Sequence, residues 1–167
     1  MRKNIFSDII TKTLDYFEDY RGHIYTTYNT KTFENVYGVK LEFNHDKILI
    51  NNKHSLRGLH GDFNSYKLAT CCYGEVYYVL VDNRVDSPTY LQWDWELLNH
   101  HSKKSILIPP GYASSCLTLS DMSVLLYKWS YNGEYNDVDK QFTLHWNDPT
   151  LKIHWPIKNP IISERDI

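Results

Sequence analysis

Lys67-Leu68-Ala69-Thr70-Cys71-Cys72-Tyr73-Gly74-Glu75-Val76-Tyr77-Tyr78-Val79-Leu80-Val81 is cut once by a glycine and reads as a strand, a break and a second strand. The same texture extends both ways along the chain. Downstream, Asp86-Ser87-Pro88-Thr89 is a turn signal in which proline presets φ. Residues 90–97 then read as a half-exposed strand, Pro109-Pro110-Gly111 separates strands over 105–108 and 113–119, and another strand covers 124–130. Upstream, residues 5–19 alternate weakly, and Gly22 permits a turn into the β-forming run 23–28. Strands are also predicted over 40–45 and 48–51, with a turn over 51–54. One short helix fits residues 30–37, where a threonine can cap, apolar residues recur every three to four, and Gly38 stops the run. Many short strands with hardly any helix predict an all-β barrel or sandwich, and a jelly roll, or double-stranded β-helix, suits the count. With no repeat, low-complexity tract or linker, residues 1–167 are expected to form one domain.

Lysines and arginines number 18 against 20 aspartates and glutamates, interspersed and without a basic run, which argues against a nucleic-acid or membrane surface. A nucleic-acid-like partner should therefore be small, such as a nucleotide. Cys71, Cys72 and Cys116 lack CxxC spacing, and adjacent strand residues point to opposite faces, so free thiols in a reducing compartment are expected. Residues 1–20 hold no apolar run of signal or transmembrane length, and the expectation is a cytoplasmic protein.

Just before the first quoted strand stands Leu56-Arg57-Gly58-Leu59-His60-Gly61-Asp62. Charges and glycines are depleted in strands and cost stability there unless function keeps them, which makes this stretch, with Lys67, a candidate active site. Strict alternation puts Arg57 and Leu59 on one side and Gly58 and His60 on the other, aiming His60 into a barrel. An imidazole shuttles protons near neutral pH, and Lys67 supplies positive charge for an oxyanion. A purely structural histidine is the plain alternative. A metal reading also stands beside it. No His-x-His occurs, and the adjacent His100-His101 reads as a solvated loop, but His60-Gly61-Asp62 with a distant His154 is a facial-triad pattern for non-haem iron, with Arg165 placed to bind a 2-oxoacid.

Leu56-Arg57-Gly58-Leu59-His60, Lys67-Leu68, Gly74-Glu75-Val76, Val81-Asp82, Ser87-Pro88-Thr89, Gln92-Trp93, Ile108-Pro109-x-Gly111, Leu126-Tyr127-Lys128, Trp146-Asn147-Asp148-Pro149, Trp155-Pro156 and Ser163-Glu164-Arg165-Asp166 follow one another in an order that resembles the dTDP-4-dehydrorhamnose 3,5-epimerase family. The resemblance runs from about Asp19 to Asp166. It implies a cupin-like jelly-roll homodimer that uses no metal or organic cofactor and acts on a nucleoside-diphosphate 4-keto-6-deoxy sugar. The ketone of such a sugar acidifies the C3 and C5 protons, so the reaction needs a base, an acid on the opposite face and a cation at the ketone oxygen. By resemblance His60 is the base, Asp166 orients it, Lys67 stabilises the enolate and Tyr127 returns the proton. Arg57, Arg21, Asp62, Tyr78, Ser114 and Lys128 are the implied substrate-binding positions.

Several positions depart from the rhamnose-pathway pattern. Ser114 stands where that pattern has a histidine, Tyr78 where it has an aspartate, Thr26 where it has a glutamate, and Gly61-Asp62 where it has an aromatic residue and Gln. Arg-Gly-x-His-Gly-Asp with Tyr66-Lys67-Leu68, Gly133-Glu134-Tyr135, Asp139, Gln141-Phe142-Thr143 and Trp146-Asn147-Asp148 looks like the branch that acts on GDP-4-keto-6-deoxy-heptoses in surface polysaccharide biosynthesis. A dTDP-4-keto-6-deoxy-hexose is the alternative substrate, with inversion at C3, C5 or both. A sugar-nucleotide-binding cupin without turnover is the non-enzyme alternative.

Overall fold

The computed structural model describes residues 4–167. Its strands are β1 (Ile10–Thr13), β2 (Tyr16–Asp19), β3 (Gly22–Tyr25), β4 (His45–Asn52), β5 (Leu56–Gly61), β6 (Tyr66–Tyr73), β7 (Glu75–Asp82), β8 (Trp93–Asn99), β9 (Lys104–Ile108), β10 (Tyr112–Thr118), β11 (Met122–Ser130) and β12 (Phe142–Thr143). One short helix, α1 (Phe33–Tyr37), joins β3 to β4. Two antiparallel five-stranded sheets, β1-β9-β6-β11-β4 and β12-β5-β10-β7-β8, face each other, and β2-β3 forms a separate hairpin. This is the all-β jelly roll that the strand pattern predicts. Among the described residues no helix is long and apolar enough to cross a membrane.

Strand β7 shows why its sequence is apolar at nearly every position. Val76, Tyr78 and Leu80 enter the core between the sheets, where they meet Ala69, Cys71, Ile106, Leu125 and Tyr127. Tyr77, Val79 and Val81 point the other way, into a second apolar layer with Leu56, Leu59 and Leu117, against which Trp146, Trp155 and Ile162 of the C-terminal segment pack. A strand buried on both faces has no polar alternation to display. On the outside of the first sheet, Phe33 and Tyr37 of α1 cover Leu68 and Leu107.

The structure departs from the sequence reading in several local places: the run 23–28 is strand only to Tyr25, and α1 starts at Phe33 with Thr32 at its N-cap making no side-chain cap bond. Residues 40–44 form no ladder, and β4 starts only at His45. Leu41 and Phe43 do pack, onto the α1 cluster, so their alternation records one buried side and not strand pairing. The strand predicted from residue 90 begins at Trp93, because Leu91 has φ of 58° and its N–H closes a turn onto Asp82. Residues 5–19 carry two short strands, β1 and β2, in place of one. Cys71 is buried and Cys72 partly exposed on opposite faces of β6, and both are free thiols, as is Cys116.

Candidate active site

The site is built on a break in β5. Ser114 of β10 pairs with His60 but Cys116 pairs with Arg57, so three steps on β5 oppose two on β10. Such a bulge reverses the side-chain alternation across it. Arg57 and His60 consequently line the same cavity, while Leu56 and Leu59 both go to the outer apolar layer. The expectation that Arg57 and His60 lie on opposite sides is corrected here. Gly58, at the bulge, has φ of 120°, and a Cβ there would overlap the Ser114 carbonyl oxygen. At Gly61 a Cβ would overlap the Tyr112 carbonyl oxygen. Both motif glycines thus serve the close approach of β10.

His60 is held at both ring nitrogens. Nε2 is 2.9 Å from Asp166 Oδ1, and Nδ1 is 3.0 Å from Oγ1 of Thr143, its cross-strand neighbour on β12. Asp166 sits in a 3₁₀ turn, Glu164–Asp166, and is 2% exposed. Its Oδ1 also accepts from the Gly58 N–H at 3.0 Å, and its Oδ2 accepts from the Ser163 N–H at 2.8 Å and the Ser163 hydroxyl at 2.6 Å. Burial alone would raise the carboxyl pKa, but the bonds from His60, Ser163 and Gly58 outweigh it and hold the group well below the usual carboxylate range. An ionised Asp166 requires Nε2 to carry a proton, which leaves the lone pair of the neutral ring on Nδ1.

Lys67 of β6 reaches the same cavity and donates to Ser114 Oγ at 2.8 Å. Burial pushes its ammonium down to about 8, with the Asp62 charge pulling the other way. Tyr127 of β11 lines the cavity as well, with Lys67 Nζ 5.4 Å from its ring centroid. Burial raises the Tyr127 phenol well above its ordinary range, so it stays protonated. Arg57 completes this wall, with Nε fixed by Asn51 Oδ1 at 2.6 Å. The cavity, about 280 Å³, therefore brings together His60, Asp166, Lys67, Tyr127, Arg57 and Ser114 from four strands and the C-terminal turn.

Five other sequence-derived positions lie outside the lining of this cavity. Asp62 is buried with its Oδ1 accepting from the Asn64 and Ser65 N–H groups at 2.7 and 2.6 Å, an Asx turn that engages that oxygen. Tyr78 lies fully inside the core. Its hydroxyl neighbours those of Ser114 and Tyr127 without reaching hydrogen-bond geometry. Lys128 follows the inward Tyr127 on β11 and so points outward, pairing with Asp46 at 2.7 Å. Arg21, at the tip of the β2-β3 hairpin, pairs with Asp19 at 2.6 Å. Thr26 borders a different hollow beside α1. The iron triad is not assembled either. Asp62 is turned to backbone amides, His154 lies against Trp93, and among the described residues no three His, Cys, Asp or Glu side chains converge as a ligand set.

Sequence reasoning missed three groups around the cavity. Lys47 projects from β4, Tyr135 and Asp137 come from the loop after β11, and Gln141 accepts from Arg165 Nη2 at 2.7 Å. Tyr135 and Gln141 stand in the sequence as branch markers with no role attached, and Lys47 only as the polar member of an alternating Lys-Ile-Leu-Ile run whose isoleucines point the wrong way: Ile48 and Ile50 are 67% and 65% exposed.

Comparison with known proteins decides the family of the chain. The sequence profile described as dTDP-4-dehydrorhamnose 3,5-epimerase matches residues 4–167. The chain belongs to the dTDP-4-dehydrorhamnose 3,5-epimerase family. It is a sugar-nucleotide epimerase. The dTDP-4-dehydrorhamnose 3,5-epimerase of Shigella flexneri is 36% identical over 168 residues, covering 99% of this chain and 91% of that protein. The crystal structure of dTDP-6-deoxy-D-glucose-3,5-epimerase from Legionella pneumophila in complex with dTDP-4-keto-L-rhamnose superposes with a TM-score of 0.90 at 31% identity, over 98% of this epimerase and 87% of that chain. The Bacillus anthracis dTDP-4-dehydrorhamnose 3,5-epimerase with TDP and pyrophosphate bound also gives 0.90, at 32% identity over 98% and 94%. These names all specify a thymidine nucleotide and none a GDP-heptose. They lend the expected heptose branch no support, and Asp62, its marker in the motif, is engaged in a backbone turn outside the cavity lining.

Proposed function

We propose that this epimerase inverts C3, C5 or both of a dTDP-4-keto-6-deoxy-hexose, with His60 as base, Tyr127 as acid and Lys67 as the enolate-stabilising cation. The observation that carries the proposal is the His60–Asp166 pair, 2.9 Å apart, in one cavity with a buried lysine and a buried, protonated tyrosine. In this reading substrate displaces the Thr143 hydroxyl from His60 Nδ1, that nitrogen takes the proton α to the ketone, and the negative charge moves to the C4 oxygen. The Lys67 ammonium, below about pH 8, meets that charge in a site of low polarisability, where it is worth far more than in water. Tyr127 then delivers a proton to the opposite face, and solvent restores both groups. The ionised Asp166 stabilises the imidazolium formed on the way. Arg57, Lys47 and Arg165 supply cations for the diphosphate. The thymidine relatives support dTDP over GDP as the nucleotide.

A homodimer fits the exposed surface. Strand β4 is an unpaired edge with Ile48 and Ile50 in solvent, and the β2-β3 hairpin exposes Phe17 and Ile24 at 64% and 73%. Exposed edges with apolar residues are characteristic of surfaces that a second copy covers. A partner there would also account for Arg21, held on the hairpin away from its own protomer's cavity.

The test is deuterium incorporation. Incubation with dTDP-4-keto-6-deoxyglucose in heavy water should place deuterium at C3, C5 or both, and His60→Asn should abolish it. Full incorporation by His60→Asn would remove His60 from the role of base, and incorporation only into a GDP-linked keto sugar would overturn the nucleotide assignment.

A further inference from the structure

The cavity contains one carboxylate that the reaction just proposed does not use. Asp137 lies in the loop spanning residues 131–141 and faces a cavity whose cations are Lys47, Arg57, Lys67 and Arg165. Asp166, the other carboxylate of the lining, is committed to His60. A carboxylate in a site for a diphosphate has the wrong sign, because like charge there costs affinity. Its neighbours show what it pairs with. Asp137 Oδ1 is 3.6 Å from Lys47 Nζ, and the same ammonium donates to the Tyr135 hydroxyl at 3.1 Å. Lys47 Nζ also lies 4.6 Å from the centre of the Tyr135 ring. The loop is tied on its other side by Gln141, which accepts from Arg165 and donates to the Asn136 carbonyl at 2.7 Å. Two of the four cations are thus occupied by residues of one loop.

Resting on the assignment of this cavity to a sugar nucleotide, we propose that Asp137 is a placeholder for the substrate's diphosphate, holding Lys47 in the cavity until the diphosphate displaces it. The Lys47–Asp137 pair is partly exposed, with side chains 40% and 70% accessible, and is easily exchanged for a more highly charged partner. Tyr135 keeps hold of the ammonium through its hydroxyl and ring face, so losing the Asp137 carboxylate removes a competitor without releasing Lys47. The arrangement favours ligands with at least two negative charges, since only these repay the displaced carboxylate.

Binding of dTDP, measured calorimetrically, tests this. Asp137→Asn and Asp137→Ser both keep a side-chain acceptor for the Val138 N–H that Asp137 now caps at 3.0 Å, so the loop keeps its turn. Both should bind dTDP roughly two- to fivefold more tightly than the wild type, the range expected for releasing one exposed pair. Lys47→Met should bind more weakly, and in that background Asp137→Asn should lose most of its gain. Unchanged or weaker binding by both Asp137 variants would overturn the proposal, as would a full gain that persists without Lys47. A wild-type protein that neither binds dTDP nor incorporates deuterium would instead remove the sugar-nucleotide reading beneath it.

Discussion

Replacing Asp166 by asparagine exchanges one carboxylate oxygen for an NH₂ group and removes one charge, and the contacts around it fix what must follow. Oδ1 faces two donors, His60 Nε2 and the Gly58 N–H, and Oδ2 faces two more, the N–H and hydroxyl of Ser163. An amide offers only one acceptor oxygen, so one side must meet the NH₂ group. If the NH₂ faces Ser163, the hydroxyl can turn to accept but the Ser163 N–H loses its partner. If it faces His60, the ring must switch tautomer and spend its lone pair on the introduced amide. The first arrangement leaves the part-buried Ser163 N–H to solvent, at about 1 kcal/mol; the second disables the base and strips the buried Gly58 N–H of its acceptor, at about 1–3 kcal/mol. In either case the imidazolium loses a charge-assisted bond worth about 1.5–3 kcal/mol, or roughly ten- to hundredfold in rate, and the wrong tautomer extends the loss to about 10⁴-fold. The expected result is a folded Asp166→Asn protein, with a lowered urea midpoint, whose deuterium incorporation falls by about 10²- to 10⁴-fold. Ser163→Ala removes only one of the four donors and should cost less than about tenfold. A folded Asp166→Asn that incorporates deuterium within about threefold of the wild type would show that Asp166 merely anchors the terminal turn.

Two further outcomes follow from the same geometry. Because the Lys67 ammonium is pushed down to about 8, deuterium incorporation should decline as pH rises through that value, and Lys67→Met should lose about a hundredfold or more with no such alkaline limb; a rate flat to about pH 10 would contradict the role given to the ammonium. Gly58→Ala places a methyl against the Ser114 carbonyl at a φ of 120°, and should lower unfolding free energy by about 2–5 kcal/mol in denaturant titration; a loss under about 0.5 kcal/mol would mean that β10 simply gives way.

What could be read in the sequence divides along physical lines. Strand β7 was legible because burial of both faces leaves a continuous apolar run, and α1 because Gly38 ends it in a left-handed cap with φ of 74°. Residues 40–44 misled because alternation reports a buried side and says nothing about a ladder partner. The bulge in β5 was not legible, since it arises from the pairing of β5 with β10 and not from β5 alone, and with it went the side on which Arg57 falls. The His60–Asp166 contact spans 106 positions, beyond any local periodicity; only family resemblance brought the two together. The contact of Thr143 with His60 is out of reach for the same reason, although the residue itself stands in the Gln141-Phe142-Thr143 marker. Asp62 was overread because a carboxylate beside a histidine suggests chemistry, whereas one beside Asn64 and Ser65 closes an Asx turn.

The bulge at Gly58 has a consequence for how this fold diversifies. By sending Arg57 and His60 to one side and Leu56 and Leu59 to the other, it sorts a single six-residue strand into a reactive face and a load-carrying face. Substitutions on the first alter what the cavity recognises without opening voids in the apolar layer, and repacking of the second leaves the base in place. Chemistry and stability can then drift at separate rates on the same strand, as long as position 58 remains glycine.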